Sequence, residues 1–274
     1  MIIAFSGWND AAEAATGALD HLLGAWQNTN DDAIVHLIAE VDPEEFYDFQ
    51  VNRPRVFTDE RDMRDIIWPS TEIFGITLPH LEQDLVVVKG AEPSMRWKTF
   101  TRELLDLADD LEISMVLTLG SLLADIPHTR PIAVNLSTAN QKLASRLNVE
   151  IAAYEGPTGI LSVIHNGCAH RGIDSIAMWG PVPHYASNAP SPKVSLALIH
   201  SLEDLLAISI PQDELAASAD SWEIEINDLA NEDSDVADYV AALEKSKDAV
   251  DIPDISGEMI AKEFERYLRR RRTD

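Results

Sequence analysis

The chain has 274 residues, of which 46% are hydrophobic, so it can bury a substantial core as one large domain or two small ones. Its 21 basic and 47 acidic residues give a formal charge of −26, which disfavours nucleic acid and anionic membranes as partners. A single cysteine, Cys168, excludes an intramolecular disulfide and is typical of a reducing compartment.

No apolar run is long enough to span a bilayer, and the N-terminus lacks the basic region and cleavage site of a signal peptide. We therefore expect a cytoplasmic protein that does not associate with membranes.

The chain opens with a strand, a tight loop and a helix. Ile2 to Phe5 is an apolar strand pattern, and Asp10 with Glu13 forms a capping box for the helix that follows. The loop lacks the lysine and the further glycines of a nucleotide-binding motif, so phosphate binding is disfavoured. The buried stripe of the helix is predicted to be Ala14, Ala15, Ala18, Leu19, Leu22, Leu23 and Trp26.

A second strand, Ala33 to Ala39, ends at Glu40 and leads into a short helical turn that begins with Pro43. Short runs follow that are typical of edge strands or a small meander, at Val51–Phe57, Asp65–Trp68 and Glu72–Leu78. Arg53 and Arg55 flank a proline there. We expect these two arginines to form surface ion pairs with nearby acidic residues and not to form an anion-binding site.

An alternation of strands and helices occupies the middle of the chain. Leu85–Val88 is apolar throughout, as expected of a central strand buried on both faces. The elements predicted after it are a helix at 97–111, strands at 114–119 and 132–136, a helix at 139–147 and a strand at 149–153. This pattern predicts a mostly parallel or mixed sheet covered on both faces, a three-layer α/β/α fold whose ligand clefts lie at carboxyl strand ends.

The stretch from Tyr154 to Pro192 concentrates histidines, glycines and prolines. Thr158 is expected to cap a helix that ends at Gly172, and Ile173–Trp179 reads as a buried strand. The prolines of Gly180–Tyr185 lack backbone donors, so the chain is expected to leave the sheet there and display His184 and Tyr185.

A helix at 192–207 closes the α/β core near Pro211, which gives a core of residues 1–211 and an acidic segment of residues 212–274. We expect that segment to be a helical appendage. Its apolar stripes are Ile224–Leu229, Val236–Leu243 and Met259–Leu268. Between Ser201 and Glu265 there are nineteen acids and three lysines, and a basic terminus with Arg266 and Arg269–Arg272 follows.

The sequence contains no complete catalytic or metal-binding set. His165 and Cys168 share a helix face, but His170 lies about 140° away from His165, so the three cannot converge on a metal. Cys168 as a nucleophile with His165 as its base remains an alternative to a small core cysteine. No nucleophile elbow is present, and we expect no metal and no cofactor.

Several polar residues follow predicted strands and could meet at one sheet edge, although each could instead cap a helix or a turn. The candidate cleft or interaction residues are Trp8, Asn9, Asp10, Glu40, Arg53, His184 and Tyr185.

Three stretches resemble the PAC2 family of proteins similar to proteasome assembly chaperone 2, in its bacterial, actinobacterial-type branch. They are SGWNDAAEAATGALDHL at Ser6–Leu22, VNRPRV at Val51–Val56 and GPTGILSVIHNGCAHRGIDSIAMWGPVPHY at Gly156–Tyr185. The resemblance implies a phosphorylase/hydrolase-like sheet, protein partners such as proteasome subunits, and a homo-oligomer, with a homotrimer plausible. Some relatives dock through a C-terminal hydrophobic-Tyr-any tail, whereas here Tyr267 stands well before the terminal Asp274.

Two hypotheses result. One is a non-catalytic interaction protein of the assembly-chaperone type, whose basic terminus docks a partner or folds back on its own acidic segment. The alternative is an enzyme or binding protein for a small polar metabolite at the carboxyl ends of the strands.

Overall fold

The computed structural model describes residues 1–25, 33–59, 62–79 and 81–251. Its strands are β1 (Ile2–Ser6), β2 (Ile34–Glu40), β3 (Arg55–Thr58), β4 (Arg64–Ile67), β5 (Thr71–Thr77), β6 (Leu85–Ala91), β7 (Met115–Ala124), β8 (Asn135–Thr138), β9 (Glu150–Ile151) and β10 (Asp174–Pro183). Its α-helices are α1 (Ala14–Ala25), α2 (Pro43–Phe46), α3 (Trp97–Asp110), α4 (Gln141–Leu147), α5 (Ile160–Arg171), α6 (Pro192–Leu206), α7 (Asp213–Glu232) and α8 (Ser234–Asp251).

Eight strands form one mixed sheet in the order β2-β5-β6-β1-β7-β10-β8-β9. Strand β1 runs parallel to both of its neighbours, with Ile2 opposite Val87 of β6 and Leu117 of β7. Strand β5 is antiparallel to both β2 and β6. The expected three-layer α/β/α class with C-terminal helices is confirmed, whereas its phosphorylase/hydrolase-like character stays a prediction.

The middle of the sheet is built from apolar runs, as expected for strands covered on both faces. Ile2, Ile3 and Phe5 of β1 are fully buried, and so are Val87 and Val88 of β6. The predicted central strand at Leu85–Val88 is therefore confirmed, and it continues to Ala91.

The chain divides into two compact units. Unit 1 comprises Met1–Asp10, Asn30–Gly120 and Leu136–Met178, and unit 2 comprises Ala11–Thr29, Ser121–Asn135 and Trp179–Asp274. In unit 1, α3 packs on α5. In unit 2, α6 packs on both α1 and α7, and α7 packs on α8.

The prediction of edge strands or a meander between residues 51 and 78 is only partly correct. Strands β3 and β4 pair with each other alone, as a separate two-stranded sheet. Strand β5 is instead an interior strand of the large sheet, and Ile73 and Ile76 are buried there. Gly75 within the strand and Pro69 and Pro79 on either side of it are typical of edge strands, so the sequence did not indicate that β5 is buried.

The capping box at Asp10 is wrong, because α1 begins four residues later at Ala14. Ala12 and Glu13 have φ values of 51° and 53° in a 3₁₀ turn, and such left-handed backbone interrupts an α-helix. The predicted stripe of α1 is buried from Ala14 to Leu22, but Leu23 is only partly buried, and Trp26 lies outside the described residues.

The prediction that the chain leaves the sheet at Gly180 is also wrong, because β10 continues to Pro183. Proline loses a backbone donor, but its fixed φ is compatible with extended backbone where no ladder bond is needed. Strand β8 begins at Asn135, three residues after the predicted start at Ile132.

The acidic segment forms two long helices instead of short stripes. Helices α7 and α8 contain 20 and 18 residues. The predicted stripe at Met259–Leu268 and the basic terminus lie outside the described residues. Within the described ranges no helix has the length and apolarity needed to cross a bilayer.

Candidate functional site

In unit 1, two loops meet where the parallel strands β1 and β6 end. Ser6 is opposite Ala91 in the register, and the Glu92 backbone N–H donates to the Ser6 carbonyl at 2.9 Å. Trp8 and Asn9 therefore emerge beside Glu92. We call these two loops, together with the start of α5, the carboxyl edge.

The Glu92 carboxylate organises this edge. Its Oε1 accepts hydrogen bonds from the Asn9 side-chain amide at 2.8 Å and from the Ile160 backbone N–H at 3.0 Å. Ile160 is the first residue of α5, so the carboxylate satisfies an N–H that has no partner inside the helix and interacts favourably with the helix dipole. The position that would otherwise attract a phosphate is thus occupied by the chain itself.

The expected cap Thr158 is not the N-cap of α5. That position is Gly159, which forms no side-chain cap hydrogen bond. A Cβ atom at Gly159 would lie 2.4 Å from Asn9 Nδ2, closer than non-bonded atoms can approach. Glycine therefore allows Asn9 and the start of α5 to approach each other.

Large side chains at the carboxyl edge are left in solvent. Trp8 is 70% exposed and Tyr154, in the segment that leads into α5, is 73% exposed. Asn9, by contrast, is buried. The Asn9 amide and the Glu92 carboxylate are thus satisfied within the chain while aromatic surface faces outward, an arrangement typical of protein contacts.

Glu40 lies at the end of β2, and because β2 runs parallel to β6 it belongs to the same end of the sheet. It lines a shallow depression of about 260 Å³, which is smaller than most ligand pockets. The depression has a largely apolar floor and acidic residues at its rim, and Asn9 is not among its lining residues. They are Ala39, Glu40, Val41, Asp42, Glu45, Phe46, Ile73, Phe100, Glu103, Leu104 and Leu107.

In unit 2, partly buried Tyr185 and fully buried His128 form a hydrogen-bonded pair that the sequence did not indicate. The Tyr185 hydroxyl accepts from the His128 backbone N–H at 2.7 Å and lies 2.8 Å from His128 Nδ1. The hydroxyl proton can therefore be donated to Nδ1, which places the ring proton on Nε2. Burial lowers the pKa of His128, with nearby Lys193 lowering it further, and burial raises the pKa of Tyr185.

His128 lies beneath α7. Its ring contacts Trp222 edge-on at 6.5 Å, and its carbonyl accepts from the Lys193 ammonium, which also pairs with Glu223. His128 Nε2 is buried, and the neighbouring Asn227 side chain acts to raise the pKa of this ring against the lowering by burial.

His184 belongs to a second cluster that holds α8. Its Nδ1 lies 3.0 Å from Asp125 Oδ1, and the Tyr239 hydroxyl donates to the same oxygen at 3.0 Å. Arg130 adds a two-bond ion pair with Asp248 of α8, with both distances 2.8 Å. The contacts of His184 and Tyr185 in unit 2 are thus with groups that fasten the C-terminal helices.

His165 and Cys168 are core groups of unit 1. His165 Nε2 lies 2.7 Å from Thr118 Oγ1 and Nδ1 lies 2.9 Å from Ser175 Oγ, and burial lowers its pKa to about 4. Burial raises the pKa of the Cys168 thiol to about 11, so it is not a thiolate at neutral pH. The nucleophile alternative therefore has no electrostatic support.

The remaining candidates are separate from these clusters. Asp10 is buried, and its backbone N–H closes a turn onto the Gly7 carbonyl at 3.1 Å. The expected ion pairs of Arg53 and Arg55 are not formed with any carboxylate in the described part of the chain. Among the described residues no three His, Cys, Asp or Glu side chains are grouped to hold a metal ion.

Sequence reasoning missed Glu92, Asp125, His128 and Tyr239. Glu92 had a usable signal, because it directly follows a central strand and precedes a proline, as a residue at a strand end does. The other three had none, since Tyr239 meets its partner Asp125 across 114 residues and His128 meets Tyr185 across 57.

A family model, that of the PAC2 family, matches residues 4–230. A PAC2 family protein from Streptomyces avermitilis is 43% identical with a TM-score of 0.80, over 88% of this chain and 98% of that one. A proteasome-assembly chaperone homologue from Mycobacterium tuberculosis is 40% identical with a TM-score of 0.77, over 87% and 98% of the two chains.

Pyrococcus furiosus PbaB, an archaeal proteasome activator, shares the fold at 16% identity and a TM-score of 0.63, over 83% of this chain and 91% of that one. A search of curated proteins finds no match to this chain. The extent of the family match and the identity to the two actinobacterial proteins establish that this chain belongs to the PAC2 family, in its actinobacterial-type branch.

Proposed function

We propose that this protein is a non-catalytic, cytoplasmic interaction protein of the assembly-chaperone type. The observation that carries the proposal is its 40% identity to the Mycobacterium tuberculosis proteasome-assembly chaperone homologue, over nearly the whole of that chain. Proteasome subunits are the proposed partners. We further propose that the protein acts as a homo-oligomer, with three copies as the expected number, and that residues 1–211 form its core with 212–274 as an appendage.

The carboxyl edge supports a binding role over catalysis. The Glu92 carboxylate is already engaged by Asn9 and by the first N–H of α5, so it is held as an acceptor in an internal network. Trp8 and Tyr154 are the large side chains that a partner can bury. Aromatic residues of this kind supply much of the binding energy of protein interfaces.

The alternative, binding of a small polar metabolite, has one observation in its favour. Glu40 lines the depression of about 260 Å³ in unit 1. The largely apolar floor disfavours a very polar ligand. A metabolite that raises the unfolding temperature of the wild type, and not of Glu40→Ala, would establish this alternative.

Affinity capture from the cytoplasm of the native host tests the chaperone proposal. The bait is the full chain, compared with Trp8→Ser/Tyr154→Ser. We expect the wild type to recover proteasome subunits and the double variant to recover far less, because exposed aromatic residues can be replaced without unfolding the protein.

Leu123→Ser is the matched control, since Leu123 is also exposed but belongs to unit 2. Ending the chain after Glu265 separates a role of the basic terminus from a role of the edge. If the truncated chain no longer recovers proteasome subunits but the double variant still does, the docking element lies in the basic terminus. If the wild type recovers no protein partner, the proposal is contradicted.

A further inference from the structure

Helix α8 carries polar groups on two opposite flanks, and both flanks are bonded within unit 2. On one flank the Tyr239 hydroxyl donates to Asp125 Oδ1 at 3.0 Å. On the other flank Arg130 binds the Glu244 carboxylate at 3.2 Å and the Asp248 carboxylate at 2.8 Å. At 100° per residue, Glu244 and Asp248 lie about 140° and 180° round the helix from Tyr239. The helix is therefore held from both sides.

Apolar packing of α8 is slight by comparison. Between residues 234 and 249, Val240 is the one buried residue, and Val236 and Leu243 are only partly buried. The family model ends at residue 230, so α8 lies beyond the matched part of the chain. The helix is thus attached mainly through polar side chains of unit 2, which we call the α8 surface. They are Asp125, Thr129, Arg130 and His184.

A single residue, Asp233, separates α7 from α8. It has extended backbone, with φ −118° and ψ 116°, between the last residue of α7 and the first residue of α8. Its Oδ1 caps α8 by accepting from the backbone N–H of Asp235 at 2.9 Å and from that of Val236 at 3.4 Å. Residues 231–235 are all exposed, so this bend can straighten without uncovering a buried group.

Straightening at Asp233 would join the two helices into one, from Asp213 to Asp251. At the bend, the last carbonyls of α7 and the first N–H groups of α8 have no partners within their own helices, and a continuous helix would pair them with each other. It would also carry α8 away from the α8 surface of its own copy, because a straight helix cannot fold back on itself. The polar contacts of α8 could then be made only with the same surface of another copy.

We propose that copies of this protein exchange α8, each placing its helix on the α8 surface of another copy. The contacts of α8 are all kept in such an exchange, so the change is confined to the bend at Asp233. Each copy gives one helix and accepts one, and the exchange can therefore close a ring of three copies. This inference rests on the homo-oligomer proposed above and names the contact that forms it.

Charge reversal on the two sides of the Arg130 contact tests the inference. Arg130→Glu alters the surface and Glu244→Lys/Asp248→Lys alters the helix, and each variant alone brings like charges together. Light scattering after gel filtration at micromolar concentration gives the mass of each variant, and near-UV circular dichroism checks that it is folded. For each variant alone we expect the mass to fall from that of three copies to that of one, 30.3 kDa.

An equal mixture of the two variants should assemble again. The altered helix of one variant fits the altered surface of the other, and the intact helix fits the intact surface, so the two variants must alternate. Alternation allows only even copy numbers, and we expect two or four copies with both variants in equal amount. A chain that carries all three substitutions restores the opposite charges and should regain the wild-type mass.

Replacement of the residue at the bend gives an independent test. Asp233→Ala removes the cap of α8 and supplies a strong helix former, so the assembled share of the protein after dilution should rise. Asp220→Ala changes an exposed aspartate in the middle of α7 and should leave that share unchanged, which makes it the matched control. If the assembled share of Asp233→Ala is unchanged or smaller, the inference is overturned.

Three other outcomes contradict the exchange. If either charge-reversal variant alone keeps the wild-type mass, α8 does not join the copies. If the mixture stays monomeric while the chain with all three substitutions assembles, α8 docks within its own copy. Both results leave the proposed oligomer intact and remove only its assignment to α8. A monomeric wild type overturns the oligomer as well, whereas the chaperone proposal is decided separately by capture of proteasome subunits.

Discussion

Replacement of His165 by glutamine should make the fold less sensitive to acid. The imidazole lies between the hydroxyls of Thr118 and Ser175, and burial lowers its pKa from 6.5 to about 4. The folded state therefore favours the neutral ring, whereas the unfolded chain binds a proton below about pH 6.5. The stabilisation is present above that pH and is lost as the pH falls from about 6.5 towards 4.

The size of this effect follows from the two pKa values. Complete loss, below both of them, corresponds to roughly 3 kcal/mol of unfolding free energy. Between about pH 7 and pH 5, most of the unfolded chains become protonated at this site while few of the folded molecules do, so the wild type should lose roughly 2 kcal/mol through His165 alone.

Urea unfolding of wild type and His165→Gln at about pH 7, 6 and 5 measures the effect. Glutamine can still donate to one hydroxyl and accept from the other, and it does not titrate. Contributions from His128 and Asp248, whose pKa values are also lowered, are common to both proteins and cancel in the difference. If the difference between the two unfolding free energies is the same at pH 7 and pH 5, the reasoning is refuted.

Three further outcomes are expected. Trp222→Ala should destabilise the protein by about 3–5 kcal/mol in urea unfolding, because it opens a cavity against His128. The control Ile224→Ala changes an exposed residue of the same helix and should alter stability by less than about 0.5 kcal/mol, so equal effects of the two variants would contradict this packing. Glu92→Ala should cost about 1–3 kcal/mol by leaving Asn9 and the start of α5 without an acceptor, and Glu92→Gln should cost less, so equal losses would count against the network. Cys168 should react with a thiol reagent only at the rate of global unfolding, and fast labelling of the folded protein would show that the thiol is accessible.

Much of the fold could be predicted because its hydrophobic pattern is local. The apolar runs at Ile2–Phe5 and Leu85–Val88 and the helical pattern at 192–207 indicated the correct elements, since burial on both faces of a sheet or on one face of a helix leaves a local signal. Strand β10 was predicted too short because Pro181 and Pro183 lack the backbone N–H that a hydrogen-bonded strand position needs. The sequence does not show which positions of β10 need that hydrogen bond, so it could not show that both prolines are tolerated.

The candidate site was predictable only in part. Asn9 and Glu40 were placed correctly at strand ends, because that position depends on the strand boundary alone. The hydrogen bonds from Asn9 and Ile160 to Glu92 span 83 and 68 residues, and no local pattern encodes such pairs. Whether the carboxyl edge binds a partner stays a prediction.

The central position of β1 has a consequence for folding during synthesis. Its partners are Val87–Ala91 of β6 and Leu117–Thr118 of β7, so this early strand cannot pair until much of the chain has been made. At about 5–20 residues per second, the first partner follows β1 by roughly 4–17 s. For that time the apolar segment Ile2–Phe5 has no native partner for its backbone, and contacts of such long sequence separation form slowly. The nascent chain is therefore most exposed to aggregation before β6 has left the ribosome, and substitutions that delay β6 should reduce the yield of folded protein more than their effect on final stability implies.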